Sequence, residues 1–177
     1  MRGHCILSHG FESGPDATKV TALAEAAARL GWSHERPDYT DLDAKCEVSE
    51  LGDVPARLQR LLSTARDRSA RADGAPLVLA GSSLGAYISG LASLQIQVAG
   101  LFLMAPPVRM GQAQPLDAAA VPISIIHGWD DELIPAAQVV EWARPRRARL
   151  VLVDDGHRLS DHVEASAAAF SALLSAL

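Results

Sequence analysis

A serine between two glycines follows a short apolar stretch and precedes a helical pattern near the middle of the chain. Residues 77–80 (Leu-Val-Leu-Ala) are continuously apolar, which is typical of a buried strand. Residues 81–85 (Gly-Ser-Ser-Leu-Gly) match the pattern G-x-S-x-G. From position 84 onward, apolar residues recur at the spacing of a helix that buries one face. A strand, a tight glycine-flanked turn and a helix together indicate a nucleophile elbow, which lifts the serine hydroxyl clear of a sheet.

Strand-like and helix-like segments alternate about six times along the chain. Besides residues 77–80, we expect strands at residues 5–8, 33–39, 99–105, 121–126 and 150–153. Residues 40–53, 66–75 and 106–120 are expected to be loops. The alternation predicts an α/β fold: a minimal doubly wound, mostly parallel six-stranded sheet with helices on both faces.

The composition is that of an ordinary globular protein. Hydrophobic residues make up 49% and charged residues 21% of the 177 positions, so we expect a single domain over residues 1–177. The two cysteines, Cys5 and Cys46, match no metal-ligand spacing, and we expect free thiols in a reducing, cytoplasmic compartment. We expect no signal peptide and no membrane association, since no apolar run approaches about 20 residues. The net charge of −5 argues against nucleic acid as a partner, and the oligomeric state is left open.

Two polar segments follow the later predicted strands. Residues 127–135 (His-Gly-Trp-Asp-Asp-Glu-Leu-Ile-Pro) come after the fifth strand, and residues 155–157 (Asp-Gly-His) come after the sixth. Because ligands of such sheets bind beyond the carboxyl ends of the strands, we expect serine, acid and histidine at one edge. The chain order Ser, Asp, His is that of an α/β-hydrolase. A serine hydroxyl attacks an ester when a base takes its proton and a carboxylate orients that base.

The chain resembles the α/β-hydrolase superfamily and, within it, the small, lidless bacterial YqiA-like esterases. Residues 9–15 (His-Gly-Phe-Glu-Ser-Gly-Pro) are similar to the His-Gly-Phe-x-Ser-x-Pro opening of that subfamily. Residues 127–135 match the superfamily pattern His-Gly-x-x-Asp-x-x-(Val/Ile)-Pro, and Gly156-His157 matches its late Gly-His pair. The resemblance covers nearly the whole chain. It implies an α/β-hydrolase fold that lacks the two leading strands of larger members and lacks a cap domain.

The resemblance implies a serine hydrolase that cleaves carboxylic esters through an acyl-enzyme. Ser83 would be the nucleophile, Asp131 the acid and His157 the base, and the backbone N–H groups of Phe11 and Leu84 would form the oxyanion hole. The substrate would be a small-molecule ester with a short acyl chain, and no cofactor is implied. A thioesterase, an amidase or a small peptidase would use the same triad. A non-catalytic binding module with this fold is the alternative from another class.

Neighbouring residues compete for these roles. The register of G-x-S-x-G favours Ser83 over Ser82, and the spacing to Pro135 favours Asp131 over Asp130. Asp154 and Asp155 are weaker acid candidates and are interpreted as turn residues. Four side chains in loops at the same edge are candidates for the substrate pocket, with ordinary loop packing as the alternative: Glu12, Met104, Arg109 and Trp129.

The other histidines are given structural roles. His9 and His127 are expected to hold loops by hydrogen bonds, and His4, His34 and His162 are expected on the surface or in helices. Since no two histidines are spaced i, i+4 on one predicted helix, we expect no metal site.

Overall fold

A six-stranded sheet forms the centre of the computed structural model, which describes residues 2–47, 52–71, 74–111 and 113–177. The strands are β1 (His4–Ser8), β2 (Ser33–Glu35), β3 (Leu77–Ser82), β4 (Gly100–Met104), β5 (Ile123–Gly128) and β6 (Arg149–Val153). Their order in the sheet is β2-β1-β3-β4-β5-β6, and every neighbouring pair is parallel. The predicted six-stranded sheet is therefore confirmed, and it is wholly parallel rather than mostly so.

Helices cover both faces of the sheet, as the alternation predicts. They are α1 (Thr18–Arg29), α2 (Thr40–Asp43), α3 (Val54–Arg71), α4 (Leu84–Ser93), α5 (Ala136–Arg146) and α6 (Val163–Ala176), with a 3-10 turn at Ser160–His162. One core cluster packs α3, α4 and α5 against the sheet, and a second packs α1 and α6 against the other face. The connections that the structure describes carry no cap domain. Within the described part of the chain, no helix has both the length and the apolar character to cross a membrane.

The central strands are apolar on both sides because both faces of the sheet are covered. In β4, Leu101 and Leu103 belong to the cluster with α3 and α4, whereas Phe102 and Met104 belong to the cluster with α1 and α6. The polar strand β2 lies at one edge of the sheet, as its composition predicts. Cys5 is a free thiol, and burial raises its pKa to about 12.

Four segments differ from the sequence prediction, and one of them is β5, which is predicted at residues 121–126 and lies at Ile123–Gly128. α2 forms at 40–43, inside a stretch predicted to be loop, and α3 continues to Arg71 through residues predicted to be flexible. The charged end of α3 contains Arg and Ala, which favour helix even when the pattern is not amphipathic. β2 ends at Glu35 instead of Tyr39, since Pro37 has no N–H to donate to a neighbouring strand. Residues 48–51, 72–73 and 112 of the predicted loops lie outside the described residues.

His4 lies in β1 and is 3% exposed, so the expectation of a surface or helical position was wrong. Its Nδ1–H donates to Ser33 Oγ at 2.7 Å, and that hydroxyl donates in turn to the carbonyl of Gly3 at 3.2 Å. Burial, with smaller contributions from the charges of Arg68 and His34, lowers the pKa of His4 from 6.5 to about 4. The folded protein therefore holds this imidazole neutral at pH values where the unfolded chain protonates it.

Acid should destabilise the protein through His4. Since its folded pKa lies below its unfolded pKa, the stability it contributes is complete above pH 6.5 and is lost as the pH falls toward 4. The asparagine variant His4→Asn keeps an amide donor near Nδ1 but does not titrate. We expect the free energy of unfolding to fall by roughly 2–3 kcal/mol more in the wild type than in this variant between pH 7 and pH 4. Urea titrations at four pH values measure this difference, and parallel curves for the two proteins would refute it.

Candidate active site

Ser83 lies in the sharp turn between β3 and α4 and has backbone angles that side chains rarely adopt. Its φ is 52° and its ψ is −118°, and its N–H donates to the carbonyl of Met104 at 2.8 Å. The backbone on either side is tightly packed. A Cβ on Gly81 would lie 2.2 Å from the carbonyl of Gly85, and a Cβ on Gly85 would lie 2.2 Å from the carbonyl of Ser8. Only glycine fits at these two positions, so the pattern G-x-S-x-G encodes this turn.

A chain of hydrogen bonds joins Ser83, His157 and Asp131. The distance from Ser83 Oγ to His157 Nε2 is 2.9 Å, and that from His157 Nδ1 to Asp131 Oδ2 is 2.8 Å. A carboxylate only accepts, so Nδ1 carries the imidazole proton and Nε2 is free to accept the serine proton. The three residues are far apart in sequence and follow β3, β5 and β6, so the parallel sheet brings them to one edge.

The Asp131 carboxylate is fully buried and held by several donors. Its Oδ1 accepts the backbone N–H groups of Leu133 at 2.9 Å and Ile134 at 2.8 Å, while Oδ2 faces His157. Burial by itself raises the pKa of Asp131, but the hydrogen bonds from His157 and from the two amides outweigh it and hold the pKa below the usual value. Asp131 is therefore an anion beside the imidazole. Asp130, its neighbour, is exposed.

The loop that carries His157 is fixed through its backbone. The N–H of His157 donates to Glu132 Oε2 at 3.0 Å, and this bond lowers the pKa of Glu132. The carboxylate of Asp155 accepts the N–H groups of Gly156 and Asp161 at 2.8 and 3.0 Å. Asp155 is thus the turn residue that the sequence suggested. Glu132 was not predicted, because its side chain lies beside two equally acidic residues in the sequence.

His9 and His127 hold loops, as predicted. His9 Nε2 accepts the N–H of Tyr39 at 2.9 Å, and its Nδ1–H donates to the carbonyl of Gly10 at 2.8 Å. His127 Nε2–H donates to the carbonyl of Ile134 at 2.9 Å, which closes the loop that carries the buried carboxylate. Burial lowers the pKa of both histidines, so both are suited to remain neutral. In the part of the chain that the structure describes, no group of three or more His, Cys, Asp or Glu side chains could hold a metal ion.

The backbone segments proposed for the oxyanion hole lie on either side of Ser83. A Cβ built on Gly10 would lie 3.6 Å from Ser83 Cβ and 3.3 Å from the carbonyl of Ser82, so the loop after β1 packs against the turn. Leu84 is the first residue of α4, where a backbone N–H has no acceptor within its own helix. The structure therefore brings the loop that carries Phe11 beside Leu84. Their role as donors stays a prediction.

Met104 does not line a substrate pocket, and that prediction was wrong. Its side chain is fully buried in the cluster with α1 and α6, near Phe102 and Phe170. Met104 ends β4, and the alternation of side chains along a strand turns it to the same face as Phe102. Only its backbone reaches the site, where its carbonyl accepts the N–H of Ser83.

The other three candidates for the substrate pocket are exposed. Glu12 has a φ of 53° and borders a cleft, Arg109 lies in the long loop after β4, and Trp129 is 59% exposed in the loop after β5. The cleft has a volume of about 380 Å³ and is lined by residues 11–13, by Thr40, Asp43 and Ala44, and by Cys46. It therefore opens beside Phe11. The assignment of these three side chains to substrate stays a prediction.

Sequence reasoning missed Arg57, which lies fully buried under the loop after β1. It forms an ion pair with Asp43 and also donates to two backbone carbonyls of that loop. The signal was present in α3, where position 57 falls one turn before Leu61, on the buried face of the helix. An arginine at the period of a buried face is expected to be paired.

The family of the chain follows from a comparison with known proteins. The model of the alpha/beta hydrolase domain family matches residues 1–174, and the chain belongs to this family. By class the protein is a hydrolase, and the likeness to small lidless members is confirmed by the solved structures below. Among curated proteins, none matches the chain.

Solved structures give the same fold. An alpha/beta-superfamily hydrolase structure from Xanthomonas campestris pv. campestris is 65% identical, covers 99% of this chain and 100% of its own, and has a TM-score of 0.95. An alpha-beta serine hydrolase homologue from Coxiella burnetii is 23% identical over 100% of this chain and 86% of its own, with a TM-score of 0.79. An a/b serine hydrolase without lid, also from Xanthomonas campestris, is 20% identical over 97% of this chain and 81% of its own, with a TM-score of 0.76. The last two likenesses concern the fold alone.

Proposed function

We propose that this hydrolase is a serine carboxylesterase that cleaves small esters with short acyl chains through an acyl-enzyme. The observation that carries the proposal is the unbroken chain of hydrogen bonds from Ser83 Oγ through His157 to the buried Asp131 carboxylate. The strained backbone at Ser83 supports it further, since strain of this kind collects at functional sites. Membership of the alpha/beta hydrolase family supplies the reaction class.

The first half of the reaction acylates the serine. Ser83 Oγ attacks the ester carbonyl while His157 Nε2 takes the hydroxyl proton, and the Asp131 anion stabilises the imidazolium that forms. The carbonyl becomes a tetrahedral oxyanion. When that intermediate collapses, the bond to the alcohol breaks, and the alcohol leaves with the proton from His157.

The second half returns the serine by the same route. A water molecule attacks the acyl carbonyl and gives a proton to His157, and the bond to Ser83 then breaks. The serine oxygen takes the proton back from His157, and the carboxylic acid is released. In both halves the N–H groups of Phe11 and Leu84 would donate to the oxyanion, and one such donor contributes about 3–4 kcal/mol.

The surroundings of Ser83 favour a short acyl chain. The connections that the structure describes include no cap over Ser83, and the cleft of about 380 Å³ beside Phe11 is lined by none of the three residues of the proposed triad. Such a site gives a long chain little apolar surface to bury, and burial is what makes long chains bind tightly. The lidless serine hydrolase among the structural relatives supports an open site of this kind.

Labelling with a fluorophosphonate tests the proposal. The probe forms a covalent bond only with a serine that its neighbours activate, so we expect one label per folded wild-type chain, attached at Ser83. Mass spectrometry of the digested protein locates the label. The variant Ser83→Ala should take up none, and the variant Ser82→Ala should be labelled like the wild type. A folded wild-type chain that stays unlabelled, and that leaves p-nitrophenyl butyrate intact, would contradict the proposal.

A further inference from the structure

Arg57 makes four hydrogen bonds, two to the carboxylate of Asp43 in α2 and two to carbonyls of the loop after β1. Its Nε donates to Asp43 Oδ1 at 2.8 Å, and its Nη2 makes a short bond to Asp43 Oδ2. Its Nη1 donates to the carbonyl of His9 at 2.9 Å, and Nη2 donates to the carbonyl of Gly10 at 3.1 Å. The guanidinium also lies 4.7 Å from the centre of the Tyr39 ring. The hydrogen bonds and the ring contact of Arg57 therefore all involve the loop after β1, Asp43 or Tyr39.

A contribution to the stability of the fold does not by itself explain the buried ion pair of Arg57 and Asp43. The Arg57 side chain is 0% exposed and that of Asp43 is 8% exposed, so both charges have lost their water. The desolvation of a buried ion pair commonly cancels its attraction, and apolar side chains of similar volume serve the fold as well or better. What the pair supplies, and apolar side chains cannot, is a set of donors with fixed directions.

One of those donors sets the direction of a second group. The carbonyl of Gly10 and the N–H of Phe11 belong to the same peptide unit, which is planar and trans, so the two point in opposite directions. The carbonyl faces Arg57 beneath the loop. The N–H of Phe11 consequently faces away from Arg57, and a Cβ built on Gly10, in the same peptide unit, would lie 3.6 Å from Ser83 Cβ. The bond from Arg57 therefore fixes the orientation of a proposed oxyanion donor without touching it.

His9 adds a second donor to the same carbonyl. Its Nε2 accepts the N–H of Tyr39, which leaves the proton on Nδ1, and this Nδ1–H donates to Gly10 at 2.8 Å. Both lone pairs of the Gly10 carbonyl are therefore occupied, one of them by a cation. A donor on the carbonyl also draws electrons through the peptide, which makes its N–H a stronger donor.

A glycine that comes shortly before α3 packs against the side chains of Phe11 and Leu84. Gly52 precedes this helix with a φ of 85°, and a Cβ on it would lie 2.7 Å from Leu84 Cδ2 and 3.1 Å from Phe11 Cδ2. The segment that leads to Arg57 thus touches the side chains of both proposed oxyanion donors.

We propose that Arg57 is a positioning residue for the oxyanion hole, which aims and polarises the N–H of Phe11 through the carbonyl of Gly10. The proposal rests on the proposed function, since it assigns a cause to the geometry of that site. The transition state needs this donor more than the bound ester does, because negative charge develops on the oxygen only as the tetrahedral intermediate forms. Loss of Arg57 should therefore lower kcat and leave KM nearly unchanged.

The test replaces the buried pair as a unit. The double variant Asp43→Leu, Arg57→Met leaves no unpaired charge, so we expect it to fold and to melt within a few degrees of the wild type. The variant Arg57→Lys keeps the charge and serves if the double variant does not fold. The matched control is Arg60→Met, because Arg60 lies on α3, pairs with Asp41 of α2, and bonds the carbonyl of Asp38 instead of the loop after β1.

Three readouts separate positioning from folding. Completed fluorophosphonate labelling counts the competent sites, and kcat for p-nitrophenyl butyrate is expressed per labelled site. We expect kcat to fall about 10- to 100-fold in the double variant and less in Arg57→Lys, with KM changed less than about threefold. The inhibition constant of butylboronic acid, whose tetrahedral adduct places an oxygen in the oxyanion hole, should rise by a factor similar to the loss in kcat. Arg60→Met should match the wild type in all three.

The possible outcomes distinguish the positioning role of Arg57 from the proposed esterase activity. A double variant or Arg57→Lys variant with wild-type kcat per labelled site and wild-type boronate affinity overturns the positioning role, while an active wild type keeps the esterase. Equal losses in Arg60→Met also overturn it, since the effect would then come from the packing of α2 and α3. A wild type that is neither labelled nor active overturns the esterase and the positioning role together.

Discussion

Replacing Ser83 by alanine is expected to lower kcat for p-nitrophenyl butyrate by about 10⁵- to 10⁶-fold. The Ser83 hydroxyl lies 2.9 Å from His157 Nε2, the nitrogen that is free to take its proton. Without it, no acyl-enzyme forms, and any residual rate comes from water that His157 activates beside the oxyanion donors. A spectrophotometric assay at high enzyme concentration, with product measured over hours, covers this range.

The matched control is Ser82→Ala. Ser82 is chemically identical, precedes Ser83 directly and is 5% exposed as the last residue of β3. Its removal should change kcat by less than about threefold, because it has no part in the proposed mechanism. A loss in Ser82→Ala comparable to that in Ser83→Ala would show that the turn tolerates no substitution, and the assignment of the nucleophile would fail.

The proposed triad could be read from the sequence because each member lies at a fixed offset from the end of a strand. The glycines on either side of Ser83 are required by backbone contacts within a few residues, so the turn carries its own signature. Asp131 and His157 lie in the polar segments that come directly after β5 and β6. Once the sheet is parallel, all such segments meet at one edge, and no long-range contact has to be known.

The ion pair of Asp43 and Arg57, which holds the loop after β1, could not be predicted from the sequence in this way. Asp43 and Arg57 are 14 positions apart, and their pairing depends on how α2 packs against α3. α2 is four residues long and lies in a stretch whose polar composition predicts loop. A pairing between a four-residue helix and the buried face of α3 leaves no periodic trace in the sequence of α2, so only the position of Arg57 on the buried face of α3 indicated it.

Met104 shows a second limit. Residues 99–105 are apolar throughout, so their pattern predicts a strand buried on both faces but does not say which face each side chain takes. A displacement of one residue exchanges the faces. The prediction that Met104 lines the pocket placed it among the loops at the active edge, whereas in the structure Met104 ends β4 and its side chain lies in the core.

Asp131→Asn exchanges one oxygen for a nitrogen and should lower kcat about 10⁴-fold. The reason lies in the two backbone N–H groups, of Leu133 and Ile134, that bond Oδ1. They would hold the carbonyl oxygen of the asparagine in place and leave its NH₂ facing His157 Nδ1. That amide donates, so Nδ1 must accept and the imidazole proton moves to Nε2. An Nε2–H cannot take the proton of Ser83.

Asp130→Asn is the matched control for this change. Asp130 is the same residue type, one position earlier and exposed, and its backbone N–H donates to the carbonyl of Asp155 in the adjacent loop. We expect its kcat to stay within about threefold of the wild type. Nitrogen-15 spectra of the imidazoles would show the tautomer directly, with the His157 proton on Nδ1 in the wild type and in Asp130→Asn, and on Nε2 in Asp131→Asn. An Asp131→Asn enzyme that keeps its activity, or whose His157 proton remains on Nδ1, would remove Asp131 from the proposed triad.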